Sequence, residues 1–281
     1  MTMREIAGLG EIAAQYDAFL FDQFGVLHDG SRLYPGVLPV LSMLAERGAA
    51  VVVMTNSGKR SAANRARLER LGIDRRLFAD VVSSGEVAWA GIRDGSWGDA
   101  FRPGRRVFIV GRDGDDYGFD DLGLQPIDAP VDADCLLILG SNAPTTSLEA
   151  YDRMLGEAAA RRIPALCCNP DRLMLTAQGM VPAPGAIAER YAAQGGPVTW
   201  IGKPHREVYL AALGLAGNPA VSRSLAIGDS IEHDIAGGRG AGLATALVRT
   251  GVSADLSPAD IDRLCRGQGV FPDWLLPALV W

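Results

Sequence analysis

Four short segments place residues capable of polar chemistry at the ends of apolar runs. Asp22 follows Ala18-Phe19-Leu20-Phe21 and precedes Gln23-Phe24-Gly25. That position suits a nucleophile or a metal ligand, and equally an ordinary turn cap. Thr55-Asn56-Ser57-Gly58 follows the apolar run 49–54. It offers hydroxyls and backbone N–H groups at a helix start, where anions bind, and also fits a plain N-cap. Gly202-Lys203-Pro204 presents a lysine just before a helix start. Gly228-Asp229-Ser230-Ile231-Glu232-His233-Asp234 sets two carboxylates five residues apart across a strand-to-helix turn, as a hard divalent cation would want. Of the 27 basic residues only Lys59 and Lys203 are lysines. A chain that so prefers arginine keeps lysine where a compact ammonium is needed, unless the two survive by chance.

The elements that must position these groups follow one pattern. Runs 18–21, 49–54, 81–82, 225–227 and 244–248 lack polar alternation and each ends in polar residues. Helical segments, 35–47 and 61–71 among them, lie between them. Such runs read as buried parallel strands with crossover helices, in which ligands bind beyond the carboxyl ends. An amphipathic helix is expected over 3–15. More than 100 residues separate the third run from the fourth, with their own strand-like runs at 106–110, 135–139 and 164–168 and a helix over 147–161. This is too structured for a loop and reads as an inserted second domain. Val181-Pro182-Ala183-Pro184-Gly185 and Gly195-Gly196-Pro197 mark its return. The Asp113 to Asp116 cluster lacks the distal Glu of a calcium loop and reads as a turn. Gly237 to Gly242 follows a helix and precedes a strand, the reverse of a dinucleotide fingerprint, and reads as helix termination.

Composition narrows the function classes. With 48% hydrophobic residues there is ample material for a core, which excludes a disordered chain. A net charge of −6 gives no electrostatic footprint for nucleic acid or an anionic membrane. No apolar run reaches the roughly 20 residues of a membrane-spanning helix, and the first ten residues do not form a signal peptide. A cytoplasmic location is therefore expected. The four cysteines show no C-x-x-C spacing, so neither zinc nor a disulfide framework is indicated.

In this order and spacing, the four segments resemble the motifs of the haloacid dehalogenase-like (HAD) superfamily of aspartate-nucleophile hydrolases. The insertion between the second and third motifs, with Asn169-Pro170-Asp171 and Gly202-Lys203-Pro204-His205, resembles subclass IIA, the NagD-like sugar and nucleotide phosphatases. The resemblance covers nearly the whole chain. It implies an α/β fold: a Rossmann-like doubly wound parallel sheet in two parts, 1–86 and 187–281, around an inserted α/β cap at 87–186. It further implies Mg²⁺ as cofactor, a small phosphorylated substrate, and an aspartyl-phosphate on Asp22. Thr55 would bond the phosphoryl oxygens and Lys203 would neutralise nucleophile and transferring group. The ion would be held by Asp22, the Phe24 carbonyl, Asp229 and Asp234, with Gly25, His28, Asn56, Ser57, Asn169 and Asp171 around the substrate. Dimerisation through the cap is common in the subclass, so a homodimer is expected.

One position departs from the family. Its phosphatases read D-x-D at the first motif, the second Asp acting as general acid and base; here it is Phe24. A phenyl ring transfers no proton, and loss of a positioned acid/base typically costs about 10²–10⁴ in rate. Three readings follow. His28 could substitute as the proton-transfer group. The reaction could instead cleave a C–halogen or C–P bond, although those branches carry a helical cap between the first two motifs, and only about 33 residues separate Asp22 from Thr55. Or the protein binds a phosphorylated ligand with weak turnover.

Overall fold

A computed structural model describes residues 3–176 and 179–281. In chain order its strands are β1 (Arg4–Glu5), β2 (Ala18–Asp22), β3 (Ala50–Thr55), β4 (Asp80–Ser83), β5 (Arg106–Val110), β6 (Gln125–Pro126), β7 (Cys135–Ile138), β8 (Ala165–Cys167), β9 (Leu173–Thr176), β10 (Gly179–Pro182), β11 (Val198–Trp200), β12 (Ser224–Gly228), β13 (Ala244–Val248) and β14 (Trp274–Leu276). The helices are α1 (Val37–Glu46), α2 (Ser61–Arg70), α3 (Ser84–Asp94), α4 (Leu148–Ala160), α5 (Pro184–Ala193), α6 (Arg206–Leu215), α7 (Ala236–Gly240) and α8 (Pro258–Gln268). Two compact units are present. One comprises Met1–Thr55, Ala62–Val82 and Lys203–Trp281, the other Asn56–Ser61 and Ser83–Gly202.

The first unit holds a sheet of order β1-β14-β13-β12-β2-β3-β4. The pairs β2·β3, β2·β12, β12·β13, β13·β14 and β1·β14 are all parallel. Every residue of β2 and β12 is buried, as unalternating apolar runs require when both faces of a sheet are covered. Phe19, Phe21, Val51, Val53, Leu225 and Ile227 form the core on one face. The order in which strands join the sheet reverses at β2, with β3 and β4 added on one side and β12 to β14 on the other. The carboxyl ends of β2 and β12 therefore flank the switch point where such sheets bind ligands.

The second unit repeats the architecture on a smaller scale. Its parallel sheet runs β11-β8-β7-β5-β6, accompanied by the antiparallel hairpin β9·β10. Alternate residues of β7 enter different cores: Leu136 and Ile138 pack with Tyr151 and Leu155, whereas Cys135 and Leu137 pack with Ala88 and Ile92. That period of two is the pleat itself. All four cysteines are buried thiols.

Two expectations require correction. Residues 3–15 are not a helix: β1 is followed by short 3₁₀ turns at Leu9–Glu11 and Ala13–Gln15. Gly8 and Gly10 explain this. Glycine is a poor helix former, and a Cβ at Gly8 would lie 2.4 Å from the Trp281 carbonyl, so the chain end packs where a helix would have side chains. The second unit also extends beyond 87–186 at both ends. Strand β11 pairs with β8, and α3 supplies Ala88, Trp89 and Ile92 to its core, so the sheet and its covering helix set the limits. No helix among the described residues is long and apolar enough to cross a membrane.

Candidate active site

The first unit gathers four charged side chains at the switch point. Asp22 ends β2, Asp229 directly follows β12, and Asp234 lies one turn beyond, in the Ile231–Ile235 segment. Lys203 arrives from 181 residues away and donates from Nζ to Asp22 Oδ1 and to Asp234 Oδ1 at 2.6 Å. All four are buried, with exposures of 7% or less. One carboxylate oxygen from each aspartate lies within 4.8 Å of the others. The Ser230 N–H donates to Asp234 Oδ2 (3.1 Å) and the Val252 N–H to Asp229 Oδ2 (2.7 Å). Thr55 closes β3, one residue past the register partner of Asp22.

Charge counting shows what the cluster can hold. Three carboxylates and one ammonium leave two negative charges in a buried place, an arrangement that costs free energy unless compensated. Burial pushes the Asp22 carboxyl well up, and Asp234 and Asp229 add to this against the pull of Lys203. Asp229 is pushed up to about 7 by burial and by Asp234, opposed by the Val252 N–H. For Lys203, burial alone would favour the neutral amine, but Asp22 and Asp234 reverse this and hold it well above the ordinary range. An all-oxygen donor set with two uncompensated charges fits a hard divalent cation.

Residues 19–125 match the haloacid dehalogenase-like hydrolase family, and residues 200–273 match the HAD-hydrolase-like family. The chain belongs to the haloacid dehalogenase-like hydrolases. A haloacid dehalogenase-like hydrolase from Brucella suis superposes with a TM-score of 0.83 at 27% identity, over 98% of this chain and all of that one. The p-nitrophenyl phosphatase of Archaeoglobus fulgidus superposes with a TM-score of 0.75 at 25% identity, over 94% and 96% of the two chains. The dihydroxyacetone phosphatase of Corynebacterium glutamicum is 28% identical over 247 residues, 85% of this chain and 82% of its own. Within the HAD hydrolases the chain falls in the NagD-like subclass IIA.

Three first-motif residues of this HAD hydrolase take parts that their positions in the sequence did not reveal. The Phe24 ring is 40% exposed and meets the His28 ring edge-on at 5.7 Å. It also covers Gly30, where a Cβ would lie 3.0 Å from the phenyl edge. His28 is fully buried, and the Gly30 N–H donates to its Nδ1 at 2.9 Å. The ring proton is then on Nε2, 3.1 Å from the Gln23 amide, whose otherwise unpartnered Oε1 would accept it once turned toward the ring. Burial first, then Arg67, brings the His28 pKa down to about 4. With no exposure and both nitrogens engaged, His28 is a structural histidine, not a proton-transfer or substrate group. Gly25 has φ +91°, and a Cβ there would sit 2.2 Å from Asp229 Oδ2, so its lack of a side chain serves the approach of Asp229 rather than a substrate.

The other expected substrate residues form a network within the second unit. Asn56 Nδ2 donates to Asp171 Oδ1 (2.8 Å), and the Asp171 N–H to Asn169 Oδ1 (3.0 Å). The Ser57 hydroxyl accepts from the Lys59 N–H at 3.3 Å. Lys59, the other of the two lysines, is partly buried and ion-paired with Asp115 at 2.7 Å. Gly237, Gly238 and Gly240 lie within α7, where a Cβ at Gly237 would come within 2.5 Å of the Tyr209 hydroxyl, and the helix ends in this stretch as expected, with Gly242 at φ +81° just beyond it. Tyr209 donates to the His233 carbonyl at 3.0 Å and so braces the Asp234 turn. Nothing in its sequence context marked it, nor the Thr250–Ser253 loop, beyond its place at the end of an apolar run.

Proposed function

We propose that this chain is a Mg²⁺-dependent phosphatase of small phosphorylated metabolites, of the sugar phosphate or nucleotide class, acting through an aspartyl-phosphate on Asp22. The buried cluster, two negative charges in excess around one lysine, carries the reading. Asp22, Asp229, Asp234 and the Phe24 carbonyl would hold the ion, which supplies charge neutralisation for the transferring phosphoryl group.

The chain's own residues account for the rest. An Asp22 carboxylate oxygen attacks phosphorus as the ester P–O bond breaks. Lys203 holds Asp22 in place and offsets charge on the phosphoryl group; the Thr55 hydroxyl donates to a phosphoryl oxygen. The departing alkoxide takes its proton from solvent, since Phe24 has none to give. Water then attacks the phosphorus of the aspartyl-phosphate, releasing phosphate and restoring the carboxylate. Phe24 also favours a second reading, a phospho-ligand-binding member with slow turnover, in which the aspartyl-phosphate persists.

A panel of phosphorylated metabolites assayed with MgCl₂ and with EDTA tests both. Phosphate release that EDTA stops supports the phosphatase. Thermal stabilisation by a ligand without product release supports the binder. Turnover indifferent to EDTA would overturn the metal-dependent mechanism.

A further inference from the structure

The loop after β13 makes more bonds to the charged cluster than its position requires. In the sheet, β12 lies between β13 and β2, so a residue leaving β13 must pass over the end of β12 to reach the Asp22 loop. Thr250 does so: its Oγ1 donates to the Gly25 carbonyl at 2.5 Å. On the way, the Val252 N–H takes Asp229 Oδ2 at 2.7 Å and the Ser253 hydroxyl donates to the Asp229 carbonyl at 2.5 Å. Ser253 is 1% exposed, and the Val252 side chain points outward at 64%, so the loop offers this site its backbone and hydroxyls. Gly251 has φ +51°, and a Cβ there would fall 1.8 Å from Asp229 Oδ2 and 2.6 Å from the Gly25 Cα. Two glycines from different loops thus close around one carboxylate oxygen.

The arrangement encloses one oxygen of Asp229: Oδ2 lies among Gly25, Gly251 and the Val252 N–H. The same loop holds the carbonyl next to that of Phe24, fixing the spacing between the first-motif turn and the acidic turn. A short-range carboxylate cluster with net negative charge would otherwise spread apart, because repulsion favours separation.

We propose that Thr250 and Ser253 are positioning residues that clamp the first-motif turn against Asp229 and thereby set the affinity of the divalent-cation site. The proposal rests on the reading of Asp22, Phe24 and Asp229 as ligands to that ion. Outer-shell partners of metal ligands are typically worth about 10–100-fold in metal affinity.

The test follows the melting temperature of the substrate-free protein against MgCl₂ concentration, for wild type, Thr250→Val, Ser253→Ala and the conservative Thr250→Ser. The expected result is a Mg²⁺ midpoint raised about tenfold or more in Thr250→Val and Ser253→Ala, with Thr250→Ser near wild type. With p-nitrophenyl phosphate, the Mg²⁺ requirement should rise while KM for substrate at saturating Mg²⁺ holds. A lower melting temperature with an unmoved Mg²⁺ midpoint would make these residues merely structural and overturn the proposal alone. A wild type that Mg²⁺ does not stabilise would overturn the metal-site reading and this proposal with it.

Discussion

The two units carry the same wiring, a parallel sheet with polar residues at the carboxyl ends of its strands, yet their polar ends are of different kinds. In the first unit Asp22, Asp229, Asp234 and Lys203 are buried with charge left over. In the second, the loops after β5 and β7 meet through Asp113 and Asn142: the Asp113 N–H donates to Asn142 Oδ1 and Asn142 Nδ2 to Asp113 Oδ1, both at 2.8 Å and both exposed. Asn56, Asp171 and Asn169 likewise engage one another. A rim of polar residues is thus what this architecture always offers. Buried charge without a full complement is what distinguishes a reactive rim from a folded turn.

The largest test of that difference is Asp22→Asn. Turnover and any covalent phospho-enzyme should be lost, by about 10³-fold or more, in a steady-state assay with acid-quench trapping. The same substitution relieves repulsion, so the metal-free protein should not unfold at lower urea than wild type. Phe24→Asp should raise the rate on an unprotonated alkyl leaving group by about 10²–10⁴, and less on p-nitrophenyl phosphate. Equal gains on the two substrates would show that protonation of the leaving group is not what Phe24 withholds. Lys203→Met strands three buried carboxylates and should cost about 3–5 kcal/mol of unfolding free energy at pH 8. The loss should be smaller at pH 5, where Asp22 and Asp229, both with raised pKa, can take up protons.

His28 tests the buried part of the first motif by pH. Its folded pKa is about 4 against an ordinary 6.5, so below pH 6.5 the unfolded chain binds the proton first. Its effect is absent above pH 6.5, and stability is lost from there down to pH 4, about 3 kcal/mol in all. The advantage of wild type over His28→Asn should shrink by that amount between pH 7 and pH 4 in urea titrations. The smallest effect is expected in the second unit. Asp113→Ala removes an exposed, locally satisfied pair and should shift the melting temperature by no more than about 2 °C.

The sequence by itself determined the strands that carry the site and which residues stand at their ends. Runs such as 18–21 and 225–227 have no polar alternation, and only a strand buried on both faces tolerates that, so Asp22 and Asp229 had to emerge at one rim. It also made α4 legible, with Ser147 capping the expected start and Arg161 the end. Tertiary structure alone decided how the rim was used. It brought Lys203 between two carboxylates, buried His28 until its nitrogens were spent, put the α7 glycines under Tyr209, and folded Thr250–Ser253 over Asp229. Backbone periodicity is local and can be read from spacing. Burial, and the electrostatics that depend on it, is set by whichever distant segments pack against a side chain, and no spacing encodes that.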